Sequence, residues 1–180
     1  NDLCIPVLVR LLDFYFGVPA PSEAKMRAWL RALFYDLFLN FTNNEAKHQK
    51  AVDASLARKE WILDLIKDRK QELKDGKTLD DNILNRLILL QQEPGNKWFD
   101  DDALQRNIGG LLTGILETTN KATILVLDEL FNRPKVLTGA IETAQNRDMK
   151  KMYGYVSEAL RFNPAQPGVI RYSETEQTIK

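Results

Sequence analysis

The chain has 180 residues, a length typical of one ordinary domain, and 44% of them are hydrophobic and 28% charged. Its 25 lysines and arginines balance its 25 aspartates and glutamates, so net charge does not favour nucleic acid or an anionic membrane surface as a partner. Cys4 and His48 are the only cysteine and the only histidine. An internal disulfide is therefore excluded, and no cluster of zinc or iron ligands is visible.

No targeting or membrane-spanning segment is evident in the chain. The apolar run from Ile5 is broken by Arg10 and Asp13, and the longest uncharged candidate, residues 108–116, ends at Glu117. Neither segment reaches the ~18 apolar residues that a membrane span needs. Together with the lone cysteine, these features predict a cytoplasmic protein without a membrane span.

Helical spacing of apolar residues dominates, and the alternation typical of strands is nearly absent, so the fold is predicted to be all-α. Residues 5–90 divide into four helices. The first ends before Gly17, the second follows a capping Ser22 and runs to about residue 40, and the third spans about 45–73. Thr78 and Asp81 resemble a capping box for the fourth, which ends at Leu90. The buried stripe of the third helix is predicted to include Ala54, Trp61, Ile62, Leu65 and Ile66.

Three further helices are predicted downstream. One of about thirty residues spans 101–131, and the others span about 135–145 and 149–162. Residues 169–172, after a proline-rich turn, are predicted to form a short C-terminal strand without a partner strand in the chain. Because the chain also lacks an initial methionine, we expect residues 1–180 to be a single helical fragment of a larger fold.

The longest predicted helix carries a polar segment in an apolar setting, Gly114-Ile115-Leu116-Glu117-Thr118-Thr119. An acid and two hydroxyls in the middle of an apolar helix are costly unless their polar groups are satisfied. Threonine can donate to the carbonyl four residues earlier, and Gly114 leaves room for a flat group to approach. An ordinary amphipathic helix with Glu117 facing water agrees equally well with this spacing.

A second pattern lies in the last predicted helix, Glu158-Ala159-Leu160-Arg161. Glutamate and arginine three residues apart share one helix face and can pair. Many surface helices contain this pattern, so it is weak alone. Its continuation is more specific, because a helix end and a proline-rich turn come next, and Arg171 lies thirteen positions after Glu158.

In this order, and about forty residues apart, the two patterns resemble the cytochrome P-450 superfamily of heme-thiolate monooxygenases. The long helix is similar to the family's distal oxygen-binding helix, with Gly114 at the small position, Glu117 at the acid and Thr118 at the hydroxyl. Glu158 and Arg161 match the family's ExxR helix. The resemblance therefore implies an all-α piece of the cytochrome P-450 fold, with one long central helix.

The resemblance also implies roles for these residues in a full-length parent that uses heme. Glu117 and Thr118 would be catalytic, Glu117 as a proton relay and Thr118 as a hydrogen-bonding hydroxyl on the oxygen side. Gly114 and Arg171 would bind the cofactor, Arg171 through a heme propionate. The ExxR pair would be structural and buried. The implied partners are a hydrophobic small-molecule substrate and a redox partner.

Two departures from the family pattern affect these expectations. Ile115 occupies the position that is usually glycine, which leaves open a peroxygenase or a fatty-acid hydroperoxide isomerase. The family's cysteine ligand lies downstream of the ExxR helix, whereas Cys4 lies far upstream and is expected to be a small core residue. We therefore expect the metal ligand to lie outside this chain. The isolated chain would lack heme and activity and would self-associate through the uncovered apolar face of residues 108–127.

Two interpretations from other functional classes remain open. The first is a helical interaction module without any cofactor, which agrees with the neutral charge and the missing metal ligands. The second is a prenyl-chain enzyme that uses Asp100, Asp101 and Asp102 to coordinate magnesium. A run of acids at a helix start is also stabilised by the helix macrodipole without any ligand, and no second acidic cluster is evident.

Overall fold

The computed structural model describes residues 3–166, 168, 175, 176 and 178. Over these residues the prediction of an all-helical fold is confirmed, and no strand is present. The strand predicted at 169–172 lies outside the described residues. The helices are α1 (Cys4–Phe14), α2 (Glu23–Leu39), α3 (Glu45–Lys74), α4 (Ile83–Gln91), α5 (Asp101–Phe131), α6 (Pro134–Gln145) and α7 (Met149–Phe162).

The chain forms two compact units, and the division falls within α5. Residues 1–120 make up the first unit, and residues 121–180 make up the second unit. No helix formed by the described residues combines the length and the apolar character needed to cross a lipid bilayer.

The first unit has an apolar core to which α1 to α5 all contribute. Residues four apart on one helix share a face, and α5 accordingly buries a row of side chains at four-residue spacing, while α3 contributes Ile62 and Ile66. Each such side chain contributes roughly 1.5–3 kcal/mol when fully buried. The row on α5 comprises Leu104, Ile108, Leu112 and Leu116.

Local side-chain caps fix where α2 and α3 begin. Ser22 Oγ accepts a hydrogen bond from the backbone N–H of Lys25 at 3.1 Å, and Asn44 Oδ1 accepts one from Lys47 at 3.0 Å. These bonds satisfy N–H groups that would otherwise lack partners in the first helical turn. The predicted cap at Ser22 is therefore confirmed.

The predicted capping box at Thr78 and Asp81 is wrong, because Asn82 caps α4. Asn82 Oδ1 accepts from the backbone N–H of Asn85 at 2.9 Å. Asp81 instead accepts two hydrogen bonds from Arg86, at 2.6 and 2.7 Å. A side chain at Gly17 would collide with the Asn82 carboxamide, since a Cβ built there lies 2.2 Å from Oδ1. Contact with the end of α1 therefore selects the capping residue.

The second unit has a smaller apolar core. It packs α6 and α7 with the last turns of α5 around Val126, Leu130, Ala140 and Ala159. Gly139 lets the two short helices approach closely, because a Cβ built there would lie 2.5 Å from the hydroxyl oxygen of Tyr155.

Candidate functional site

The predicted polar segment lies within the first unit, on a continuous stretch of α5. Thr118 is exposed, and its Oγ1 donates a hydrogen bond to the carbonyl oxygen of Gly114 at 2.5 Å. This is the bond from threonine to the fourth residue before it that the sequence suggested. It fixes the hydroxyl against the helix and directs the hydroxyl hydrogen toward Gly114.

The helix face beside Thr118 is open and mostly apolar. A Cβ built on Gly110 or on Gly114 meets no neighbouring atom within 4 Å. Leu111 is 50% exposed and Ile115 is half-buried. A face made of small and apolar groups, with one hydroxyl at its end, fits a flat apolar ligand that approaches the helix closely.

Glu117 is half-buried, one position before Thr118. Its carboxylate forms no hydrogen bond or ion pair within the described part of the chain. It lies one turn beyond Thr113 and Gly114 on the same side of α5, because residues three and four apart share a face.

The apolar segment at residues 108–127 is only partly uncovered, contrary to the expectation of a wholly unpartnered face. Ile108, Leu112 and Leu116 are fully buried in the core of the first unit. In the same segment, Leu111 and Ile124 are exposed. A long helix packs its inward face first, so single apolar side chains remain exposed, and Leu111 and Ile124 lie on nearly opposite sides of α5.

A buried arginine that the sequence did not single out lies next to this segment. Arg58 of α3 is 9% exposed, and its Nη1 donates to the carbonyl oxygen of Gly109 at 2.8 Å and to Thr113 Oγ1 at 2.5 Å. Burial lowers the pKa of Arg58. Its position was nevertheless readable, because Arg58 is four residues from both Ala54 and Ile62 on the predicted buried stripe of α3.

The ExxR pair lies in the second unit and forms the expected contact. Arg161 Nε donates to Glu158 Oε2 at 2.9 Å, and Arg161 Nη2 donates to Glu158 Oε1 at 2.8 Å. These hydrogen bonds lower the pKa of Glu158. Both side chains are more than half exposed, at 59% and 62%, so in this chain the pair is a surface contact rather than a buried one. Arg171 lies outside the described residues.

Two other sequence features are accounted for by packing and ion pairing. Cys4 is buried in α1, as expected for a small core residue. The aspartates at the start of α5 have local partners. Asp100 caps the helix through the backbone N–H of Ala103 at 2.7 Å, Asp101 pairs with Lys70, and Asp102 pairs with Lys59. No group of three or more potential metal ligands occurs in the described ranges.

Residues 24–180 match the family model for cytochrome P450. The chain belongs to this family. It is 27% identical over 147 residues to the taxane 10-beta-hydroxylase of Taxus cuspidata, which covers 72% of this chain and 29% of that protein. It is 26% identical over 148 residues to the beta-amyrin 6-beta-monooxygenase of Solanum lycopersicum, which covers 73% and 30%. It is 25% identical over 210 residues to cytochrome P450 81F4 of Arabidopsis thaliana. That alignment covers 97% of this chain and 39% of that protein.

The cytochrome P450 match covers both patterns, and the chain spans less than two fifths of the length of these relatives. No solved structure matches it significantly. Membership of the family implies heme as the cofactor of the full-length protein. The open face at Gly110, Gly114 and Thr118 fits one side of such a flat, largely apolar group. Among the described residues, buried Cys4 is the only thiol, and it lies in α1.

Proposed function

We propose that this chain is part of a longer heme-thiolate oxidoreductase that inserts oxygen into a hydrophobic substrate. The observation that carries the proposal is the open face of α5 at Gly110 and Gly114, where an added Cβ would meet no atom within 4 Å. An exposed threonine follows, next to a carboxylate without a partner among the described residues. The chain would supply the oxygen side of the site and the ExxR helix, and the thiolate ligand would come from beyond it. The isolated chain would be inactive.

When bound, heme supplies the activation of oxygen. The residues of this chain then have defined tasks. Thr118 Oγ1 commits its hydrogen to the Gly114 carbonyl, so its lone pairs accept a hydrogen bond and hold a water in place. Glu117, half-buried and without a partner in the described ranges, passes a proton from solvent to that water. Leu111 and Ile115 limit the access of bulk water to the open face at Gly110 and Gly114.

The test of the heme proposal uses the full-length protein that contains this chain. The reduced protein is exposed to carbon monoxide and its difference spectrum is recorded. The red-shifted band of thiolate-bound heme is expected. If the full-length protein takes up no heme, the cofactor-free interaction module is the better explanation.

The test of the residue roles is Thr118→Ala in the full-length protein. Without the hydroxyl, the water loses its anchor, so oxygen consumption continues while product falls by about tenfold or more and peroxide accumulates. Thr138→Ala is the matched control, because Thr138 of α6 makes the same type of bond, to the carbonyl of Pro134 at 3.1 Å. Equal coupling in both variants would remove Thr118 from the mechanism.

A second candidate function is favoured by Ile115, which is half-buried against the core of the first unit and stands at the position that the family usually fills with glycine. A bulky group there narrows the space beside the helix and favours an organic peroxide over oxygen as the reactant. A fatty-acid hydroperoxide isomerase rearranges its substrate without a reductant. Product formation from such a hydroperoxide in the absence of oxygen and electron donor would select this alternative over the monooxygenase.

We also propose that the full-length protein is cytoplasmic and receives electrons from a redox partner. A further proposal is that the isolated chain self-associates. Leu111 at 50% exposure and Ile124 at 37% lie on α5, and such apolar groups favour association with a second copy. Multi-angle light scattering of the isolated chain is expected to report dimers or larger species. A strictly monomeric chain would contradict self-association.

A further inference from the structure

A cavity of about 470 Å³ lies within the first unit, between α2, α3 and α5. Its size falls in the range of small-molecule sites, roughly 300–1,000 Å³. It is lined at one end by apolar side chains of α2 and at the other by polar and charged groups of α3 and α5. The apolar end includes Leu33, Leu37 and Phe38, and the charged end includes Arg58, Lys59 and Arg106.

Arg58 is the buried charged group of this cavity, at 9% exposure. Its Nη1 is used by Gly109 and Thr113, whereas Nε has no hydrogen-bond partner and Nη2 has none among the described residues. Nε is covered by surrounding protein atoms, so Nη2 is the nitrogen that remains to donate a charge-assisted hydrogen bond to an anion. A buried cation without a counter-charge is costly, which indicates a missing anionic partner.

The charge around the cavity has the same sign. Lys59 and Arg106 line it as well, and both pair with the single carboxylate of Asp102, Lys59 at 2.9 Å. No aspartate or glutamate of the described part of the chain lines the cavity. Lys59 and Arg106 share one carboxylate, and Arg58 pairs with none among the described residues, so the charged end attracts an anion.

The apolar end determines which kind of group the anion carries. Leu33 is buried, whereas Leu37 and Phe38 are 65% and 54% exposed. Apolar groups this exposed, continuous with a cavity, favour a hydrocarbon rather than a second polar group. The arrangement therefore matches a carboxylate that carries a hydrocarbon chain.

We propose that this cavity binds an aliphatic carboxylate, with its carboxylate on Arg58 and its hydrocarbon chain on the apolar side chains of α2. Gly114 lines the same cavity and carries the carbonyl that holds Thr118. The bound molecule therefore lies beside the oxygen-side residues. As a statement about the substrate, this inference rests on the proposed function; as a statement about binding, it rests on the cavity alone.

The experiment measures the binding of laurate and of its uncharged methyl ester to the intact 180-residue chain by titration calorimetry. Laurate is expected to bind at least about tenfold more tightly than the ester, because only laurate offers an anion to the guanidinium. Arg58→Met should abolish this preference, and Arg58→Lys should retain part of it. The matched control is Arg69→Met on the same helix, since Arg69 already pairs with Glu72 and does not line the cavity.

Equal affinity for laurate and ester would overturn the proposal and indicate apolar adsorption only. Retention of the preference in Arg58→Met would overturn it as well. If Arg58→Met does not fold, the guanidinium resonances of Arg58 in the unmodified chain decide the matter, because laurate must shift them and the ester must not. If laurate binds but the full-length protein shows no thiolate band, the carboxylate site stands and the heme proposal is rejected. If the thiolate band is present but laurate does not bind, only the carboxylate site is rejected.

Discussion

Two cavities, one in each unit, differ in whether their charged side chains are paired. The cavity of the first unit is lined by three cations and, among the described residues, no acid, and its buried arginine lacks a carboxylate. A cavity of about 460 Å³ in the second unit is lined by Glu129 and Glu158 together with Arg133 and Lys151. Arg133 pairs with Glu129, and Arg161 pairs with Glu158. A cavity whose charged side chains pair with one another gives no reason to expect a charged ligand. A cavity with a buried, unpaired charge indicates a ligand of the opposite charge.

The two units also differ in the size of their apolar cores. The first unit buries rows of large aliphatic side chains on α3 and α5, whereas the core of the second unit consists of Val126, Leu130, Ala140 and Ala159. A rigid, well-packed core holds a functional group such as Arg58 or Thr118 at a fixed position. The second unit offers less of this support to its ExxR pair.

The largest predicted effect tests this difference in packing with one type of substitution. Leu112→Ala removes a fully buried side chain from the first unit and should lower the free energy of unfolding by about 3–5 kcal/mol. Leu130→Ala, in the smaller core and 8% exposed, should cost about 2 kcal/mol, because its surroundings can relax more. Urea unfolding followed by circular dichroism measures both values. Equal losses would mean that the two cores are equally well packed.

The second prediction uses two adjacent glycines to test how tightly the Arg58 guanidinium packs against α5. A Cβ built on Gly109 lies 2.9 Å from Arg58 Nη2, while one built on Gly110 meets nothing within 4 Å. Gly110→Ala should therefore stabilise the chain by about 0.5–1 kcal/mol, because alanine favours the helix. Gly109→Ala should destabilise it by about 1–3 kcal/mol, because Arg58 is held by two hydrogen bonds and cannot move away freely.

Thermal unfolding of the two glycine variants, side by side with the unmodified chain, gives the sign of each effect. Opposite signs would support a guanidinium packed on the backbone of α5. Stabilisation by both substitutions would show that Arg58 leaves Gly109 easily, and it would weaken the case for a preformed carboxylate site.

Local and tertiary contacts differ in how far they can be predicted from the sequence. Periodicity and caps predicted the helices well, since a cap such as Ser22 acts through neighbouring residues only. The predicted start of α4 was wrong because Thr78 and Asn82 are both acceptable caps locally, and contact with Gly17 decides between them. Sequence patterns cannot resolve a choice that depends on a tertiary contact.

Some residues of the candidate site could be identified from the sequence, and others could not. Gly114, Glu117 and Thr118 were identified because their spacing resembles a family pattern, and their roles stay predictions. Arg58 belongs to no such pattern, and an arginine on a long charged helix is usually solvated through its tip. Only burial and the pairing of each nitrogen distinguish it from Arg69, the other arginine of the same helix, which is half-buried and pairs with Glu72.

The smallest predicted effect is pH dependence, and it should be confined to the first unit, which contains the chain's only histidine. His48 Nδ1 lies 2.9 Å from Asp36 Oδ2 and joins α3 to α2. This hydrogen bond raises the pKa of His48 and lowers the pKa of Asp36. The histidine's contribution is complete below its ordinary pKa near 6.5 and is lost as pH rises through the raised value. The aspartate's contribution is complete above its ordinary pKa near 3.9 and is lost as pH falls through the lowered value.

The pair should therefore stabilise the first unit most between about pH 4 and 6.5. The effect is small because His48 is 55% exposed and water screens the contact. The Tm of the unmodified chain should fall relative to that of His48→Gln between pH 6 and pH 9, by ~1–3 °C. Hydrogen-exchange protection factors, which are corrected for the intrinsic rise of exchange with pH, should fall over the same range in α2 and at the start of α3, but not in α7. An equal fall of protection in α7 would mean that another group governs the pH response.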